Sequence, residues 1–345
     1  MRDPWFESLR RPLGARTVLQ FCMPHQVVPA HGRVNVNYTM FEASRIPDAW
    51  AQAHRRVDRI VVPTPSSRDA WVASGVPADL VRLCPLGVDA DLFARPVVPL
   101  PLVTDDGRPV AAHRVRLLNI SELVPRKNLA GLLRVWLRTT SRGDDAVLVL
   151  KIGAYQPGVR EVFGRRVRDL EAQTGRTFAA AAPVVVVDEV FRDEDMPRLY
   201  AAASHYVSLS RGEGWDQTMV EAAASGLRLI APAHSAYTAY LDASVAALVP
   251  SRPVPAVFAP EDGDGVLFEG ASWWEPDEDA AARLIRAAIE GRDGGPGPAR
   301  DRVRTELTWE RAARRLLGIL TEEEEEAAEA RRRRPVPSPR GSDGR

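Results

Sequence analysis

From residue 114 onward, apolar runs of strand length alternate with segments whose apolar positions recur every three or four residues. The runs 114–119, 146–152, 183–187, 205–209, 227–231 and 245–249 predict strands. Between the first two, Leu129, Leu132, Leu133 and Trp136 share one face of a helix predicted over 128–139. Strand and helix in regular alternation predict a parallel, doubly wound sheet covered on both faces, with ligands at the carboxyl ends of its strands. The first hundred residues repeat the pattern on a smaller scale, with strands over 17–22, 34–38, 59–62 and 81–84. A helix over 67–74 is predicted there, with Ser66 as N-cap, Asp69 three residues later, and Gly75 and Pro77 as its stop.

These patterns divide the chain into a small unit over 1–97, a linker over 98–113 within a proline-rich stretch, a larger unit over 114–275 and helices over 276–320. A charged tail over 321–345, with glutamates at 322–326 and arginines at 331–334, is expected to be disordered. A chain of 345 residues suits two such cores, at roughly 100 to 200 residues each. The 46 basic residues balance 46 acidic ones, so no overall field argues for a nucleic-acid partner. Cys22 and Cys84 form neither a metal-ligand spacing nor a disulfide framework, which suits reduced thiols in the cytoplasm. The longest apolar run, 178–187, is interrupted by Pro183 and falls far short of the ~20 residues of a membrane span. Lys127 and Lys151 are the only lysines, against a background of arginine, which hints at a place for a compact ammonium.

The most informative stretch is Arg211-Gly212-Glu213-Gly214-Trp215-Asp216-Gln217-Thr218-Met219-Val220-Glu221, which joins a predicted strand to an alanine-rich helix. The first N–H groups of a helix lack intrahelical partners and carry the positive end of its dipole, which suits a phosphate or diphosphate. A carboxylate at that turn is costly unless it accepts hydrogen bonds from hydroxyls attached to the anion. Glu213 therefore points to a sugar, and Glu221, two helical turns on, to a second polyol such as a ribose. The stretch reads as a nucleotide-sugar site.

Four blocks together resemble the retaining glycosyltransferases of the GT-B fold, family 4, also called glycosyl transferases group 1. They are Tyr38-Thr39-Met40-Phe41-Glu42; the segment from Val61 to Ser66 and on through Gly75-Val76 to Pro85-Leu86-Gly87-Val88-Asp89; the segment from Ser121 to Arg126-Lys127; and the segment from Ser210 to Gly226. The resemblance implies two Rossmann-like domains facing a cleft, the N-terminal one unusually short here. It implies transfer of a sugar from a nucleotide-diphosphate donor, with retention of configuration, without a metal and without a cofactor. By the same resemblance Lys127 and Arg126 contact the donor diphosphate, and Glu213 holds the donor sugar. The backbone of Gly214, Trp215, Asp216 and Gln217 cradles sugar and phosphate, and Glu221 holds the ribose. The acceptor, a glycan, lipid or small molecule, is not legible, and a cytoplasmic protein touching the inner face of the membrane is compatible with any of these.

Departures from the family pattern shape the alternative. Ser121-Glu122 stands where many relatives have a glycine-arginine pair, and Met40-Phe41-Glu42 where many have a histidine, so no histidine, including His25 and His31, is assigned to catalysis. Nothing before Thr17 resembles the usual opening strand and glycine-rich loop. Either the reading frame starts upstream, or this branch has a reduced acceptor domain. The alternative is a degenerate GT-B protein that binds a nucleotide sugar or a partner without transfer. A dehydrogenase reading of Gly212 to Gln217 lacks the third glycine of the dinucleotide fingerprint. Three Asp-x-Asp spellings, at 89–91, 193–195 and 262–264, would suit a metal-dependent transferase, but acidic turns are common.

Overall fold

In a computed structural model of the chain, residues 16–153, 158–258, 265–293 and 299–333 are described. The small unit comprises β1 (Thr17–Phe21), β2 (Val34–Tyr38), α1 (Asp48–Ala53), β3 (Arg59–Val62), α2 (Pro65–Ala73), β4 (Val81–Leu83) and α3 (Ala90–Ala94). Its four strands pair in parallel in the order β1-β2-β3-β4. The larger unit comprises β5 (Val115–Ser121), α4 (Leu129–Thr139), β6 (Ala146–Ile152), α5 (Val159–Thr174), β7 (Val184–Val187), α6 (Met196–Ala201), β8 (His205–Val207), α7 (Gln217–Ala224), β9 (Arg228–Pro232) and β10 (Ala247–Val249). These six strands are also parallel, in the order β10-β9-β8-β5-β6-β7. An antiparallel pair, β11 (Ser251–Pro255) and β12 (Ser272–Pro276), precedes α8 (Glu278–Glu290), α9 (Arg300–Glu306) and α10 (Trp309–Arg333).

Successive residues of a strand face opposite sides of a sheet, so each strand of the large sheet serves two cores. Leu117, Leu148 and Leu150 pack with Leu132, Leu133 and Trp136 of α4 and Ile285 and Ile289 of α8. Leu118, Val147 and Val149 pack on the other side with Tyr200, Met219 and Val220. The apolar stripe predicted for α4 is thus the one it buries. Both sheets are parallel, as the alternation predicts, but only the large one reverses its strand order and is doubly wound; the small sheet runs in plain sequence order, β1-β2-β3-β4.

Three local expectations need correction. The N-cap of α2 is Thr64 rather than Ser66: Pro65, with no N–H and a preset φ, takes the first helical position, and Thr64 Oγ1 accepts from Ser67 N at 3.2 Å. The β11–β12 ribbon was not anticipated, because Pro253 and Pro255 argue against a strand interior; a two-stranded ribbon tolerates them. The tail does not become disordered at 321. Helix α10 runs on to Arg333 and returns to the small sheet, where Ile319 joins the core of Val34, Val36, Tyr38 and Val61. Glu323, within the acidic run, is buried and pairs with Arg59 at 2.6 Å and Arg82 at 3.6 Å. Residues 334–345 lie outside the described residues.

Candidate active site

The order of the large sheet places a crevice between β5 and β8. From β5 the chain moves to β6 and β7 on one side, then returns to β8 and continues outward to β9 and β10. Loops leaving β5 and β8 therefore diverge, and the gap at their carboxyl ends is the topological switch point where such sheets bind ligands. Asn119 Nδ2 donates to Val207 O at 2.8 Å and Asn128 Nδ2 to Leu209 O at 3.0 Å, tying the two strand ends together. One 3-10 turn after β5, Pro125–Lys127, carries Arg126 and Lys127. Residues 210–216 follow β8.

Glu213 is buried at the centre of this crevice. Lys127 Nζ and Ser210 Oγ each donate to its Oε1 at 2.7 Å, and Arg126 Nη1 donates to Oε2 at 3.0 Å. A carboxylate has about four acceptor positions, so one on Oε2 stays open. Burial alone would raise the Glu213 pKa, but the Lys127 and Arg126 charges outweigh it and hold the group at about 2. Burial works against Lys127 and Arg126 too, and Glu213 reverses it in both, so all three remain ionised. A second chain fixes the backbone. Glu213 N–H donates to Ser235 Oγ at 3.2 Å, Ser235 Oγ lies 2.9 Å from His234 Nδ1, and His234 Nε2 lies 3.0 Å from Ser210 O. A carbonyl only accepts, so Nε2 bears the proton and Nδ1 accepts from Ser235. Burial, with the ring stacked on Trp274 at 5.2 Å, holds His234 down at about 4 and therefore neutral.

Asp216, at φ 61°, caps α7, its Oδ1 accepting from Thr218 Oγ1 at 2.8 Å and its Oδ2 from the Tyr237 hydroxyl at 2.7 Å. Its carboxylate is turned inward, and the Trp215 ring is buried 5.3 Å from Tyr240. With both side chains engaged, these two residues leave their backbone toward the cleft. The first-turn N–H groups of Gln217 and Thr218 precede any intrahelical partner and lie in the cleft wall. Glu221 lines the same cleft and accepts from the Tyr200 hydroxyl at 2.8 Å. Burial raises it to about 7, only partly offset by that hydrogen bond.

The cleft, ≈ 570 Å³, has a second wall from the small unit, formed by Met40, Glu42 and Leu86. The walls touch at two glycines. A Cβ at Gly212 would fall 1.9 Å from Glu42 O, and one at Gly214 would fall 2.8 Å from Met40 Cγ. Gln217 Nε2 also crosses, donating to Gly87 O at 3.1 Å. The structure thus gathers Arg126, Lys127, Glu213, Gly214, Trp215, Asp216, Gln217 and Glu221 around one cleft. It differs from the sequence reading in that the Glu213 carboxylate is already held by the two cations expected on the diphosphate.

Lys151 also lines the cleft, 5.7 Å over the Phe191 ring, with burial lowering its pKa. Of the Asp-x-Asp spellings, Asp89 caps α3 by accepting from Leu92 N at 2.8 Å, 193–195 forms a 3-10 turn, and 262–264 lies outside the described residues. Among the described residues, no group of three His, Cys, Asp or Glu side chains is placed to hold a metal. Sequence reasoning missed Glu42, Ser210, His234, Ser235 and Arg211. Arg211 donates to Glu275 at 2.6 Å and to Pro125 O at 2.9 Å, joining the β11–β12 ribbon to both loops. The Pro232-Ala233-His234 turn at the end of β9 was the visible signal for the second chain.

Residues 114–260 match the model of a family described as glycosyl transferases group 1. Several solved structures share the fold. Alr3699/HepE of Anabaena, in complex with UDP and glucose, aligns with a TM-score of 0.60 at 15% identity over 84% of this chain and 72% of that one. Sucrose-phosphate synthase of Thermosynechococcus elongatus gives 0.62 at 17% identity over 93% and 77%. A glycosyltransferase of Rickettsia africae gives 0.59 at 15% identity over 85% and 71%. No curated protein matches the chain. The chain is therefore similar to glycosyl transferases group 1 over 114–260, and its two-sheet frame shares the GT-B fold of these structures.

Proposed function

We propose that the protein transfers a sugar from a nucleotide-diphosphate donor to a hydroxyl-bearing acceptor, retaining the anomeric configuration and using no metal ion. The observation that carries this reading is the convergence of Lys127 and Arg126 on one buried carboxylate beside the amino end of α7. Breaking the anomeric bond places extra negative charge on the departing nucleoside diphosphate, and fixed donors aimed at that charge are usually the largest catalytic contribution. Lys127, Arg126 and the N–H groups of Gln217 and Thr218 supply such donors. In this reading the open position on Glu213 Oε2 accepts from a donor-sugar hydroxyl, Glu221 accepts from the ribose, and the acceptor attacks from the side the diphosphate leaves. Complexes of Alr3699/HepE with UDP and with UDP-glucose make UDP-glucose the first donor to try. A membrane-anchored acceptor would bring the protein to the inner face of the membrane; among the described residues no helix is long and apolar enough to cross one.

One observation favours a second reading, a protein that binds a nucleotide sugar without transfer. Both cations are paired with Glu213, and Glu122, in place of the usual arginine, is exposed at the cleft. The test is nucleoside diphosphate release from a panel of nucleotide sugars, with and without EDTA and added acceptors. Release that survives EDTA supports the transferase; loss in EDTA restored by Mn²⁺ contradicts metal independence. Tight donor binding with no release under any condition favours the binder.

A further inference from the structure

Of the three side chains that the small unit contributes to the cleft, Met40, Glu42 and Leu86, only Glu42 has a polar end. Its position is fixed from both sides. Its neighbours Phe41 and Ala43 are buried in the core of the small unit, where Phe41 stacks on Phe268 at 4.9 Å and meets Trp50 edge-on at 5.4 Å. Its carbonyl is seated against Gly212, next to Glu213. The carboxylate held between these anchors faces the Arg126 guanidinium, 3.8 Å from Glu42 Oε1 to Nη2, too long for a hydrogen bond. Among the described residues no side-chain donor comes within hydrogen-bond distance of it. Arg126 is held in that position by its other terminal nitrogen, Nη1, which donates to Gly212 O at 2.8 Å and to Glu213 Oε2 at 3.0 Å. The Glu42 backbone N–H is the one donor that supports the carboxylate, so most of the acceptor capacity of this half-buried group is left unused, which is costly, and it lines the cleft.

We infer that Glu42 binds the acceptor, accepting hydrogen bonds from the hydroxyls of a polyol. The inference rests on the transferase reading above and names the residue and the substrate class that reading leaves open. Arg126 marks the side of the sugar on which the diphosphate lies, so a polyol held by Glu42 beside Arg126 approaches from that same side. In the step that follows, a lone pair of the acceptor oxygen forms the bond to the anomeric carbon. The bond from that carbon to the diphosphate breaks with its electron pair on the leaving oxygen, which takes the acceptor's proton. Attack and departure on one face retain the configuration. Burial and the nearby Glu213 charge raise the Glu42 pKa against the pull of Arg126, so Glu42 presents a carboxyl that gains from hydroxyl donors when ionised.

The test compares wild type with Glu42→Gln and Glu42→Ala, using UDP-glucose or whichever donor of the panel is released fastest. Each protein is assayed in water alone and with a mixture of glucose, glucosamine, inositol and glycerol, with glycosylated product and hydrolysed donor counted separately by mass spectrometry. The ratio of transfer to hydrolysis is expected to fall by ~10- to 100-fold, the size set by losing a hydrogen bond to a charged group, with acceptor KM rising more than kcat falls. Glu42→Gln, which keeps shape and one acceptor oxygen, should lose less than Glu42→Ala, and melting curves identify any variant that fails to fold. An unchanged ratio, with transfer and hydrolysis falling together, would mean that Glu42 acts only through Arg126 and overturns the inference. Hydrolysis by wild type with none of the four polyols glycosylated also counts against it. A wild-type protein that neither binds nor hydrolyses any donor is a different result, failure of the transferase reading itself.

Discussion

The two walls of the cleft are built on different principles. On the large-sheet side the central group is a side chain held by several partners: Glu213 has three side-chain donors on its carboxylate, and its backbone amide is fixed by a further bond to Ser235. On the small-sheet side the wall is seated by close approach to two glycines, the Glu42 carbonyl against Gly212 and the Met40 side chain against Gly214. The large-sheet wall therefore depends on which residues are present, and the seating of the opposite wall on what is missing at two positions. The first kind of information is written in motifs; the second appears only when the chain folds.

The sharpest way to break this contrast is at Gly212. Its Cβ would meet a backbone carbonyl, which cannot rotate away, so Gly212→Ala must displace either the Glu213 loop or the small wall. Misplacing a reacting group by about 1 Å costs roughly 100-fold. Donor turnover by Gly212→Ala is expected to fall by at least that factor, with the control Gly143→Ala, whose Cβ meets nothing within 4 Å, close to wild type. Near-normal turnover in Gly212→Ala would show that the walls are not in register for function.

A second way to break it lies on the far side of the small sheet. Glu323 reaches Arg59 and Arg82 from α10, and removing it takes the buried carboxylate from both, leaving Arg59 paired, among the described residues, only with the exposed Glu326 at 2.6 Å. Glu323→Ala should lower the unfolding free energy by about 2 kcal/mol in urea titration, a discount from the fully buried case because both arginines keep some solvent contact. A change within error would mean that the acidic end of α10 is only a solvated extension.

Legibility followed the same division. The alternation of runs placed both parallel sheets, and the lysine turn and the two glutamates fall on one wall of a single cleft, because periodicity and residue type act locally. The β11–β12 ribbon was hidden by its prolines, and Glu323 by four acidic neighbours that make a solvated run the natural reading. Nothing local in that run reveals Arg59 and Arg82, more than two hundred residues earlier. Glu42 lay inside a motif noticed for its family pattern, yet its chemistry depends on Gly212 and Arg126, which only the closed fold brings to it. His234 was visible as the end of a strand, but its neutral, donating state follows from burial against Trp274.

The smallest expected effect sharpens the large-sheet wall itself. Burial raises Glu221 to about 7, so near neutrality it is divided between acid and carboxylate. Ribose hydroxyls donate to the ionised form, which gives the sign: affinity for UDP-glucose should rise as pH increases through neutrality and fall on the acid side. UDP-glucose suits this titration because its diphosphate does not itself change charge there. Calorimetry across that range should show the trend in wild type and a flat line in Glu221→Gln; the same slope in both would remove Glu221 from the ribose contact.

The central claim is that Lys127 acts on charge that grows as the sugar–phosphate bond breaks. Measuring donor affinity by calorimetry alongside the turnover rate, for wild type and Lys127→Ala, addresses it directly, because only stabilisation greater in the transition state than in the bound state accelerates the chemistry. The account predicts that turnover falls by ~100-fold or more while affinity falls far less. Equal losses in the two quantities, or small losses in both, would contradict it.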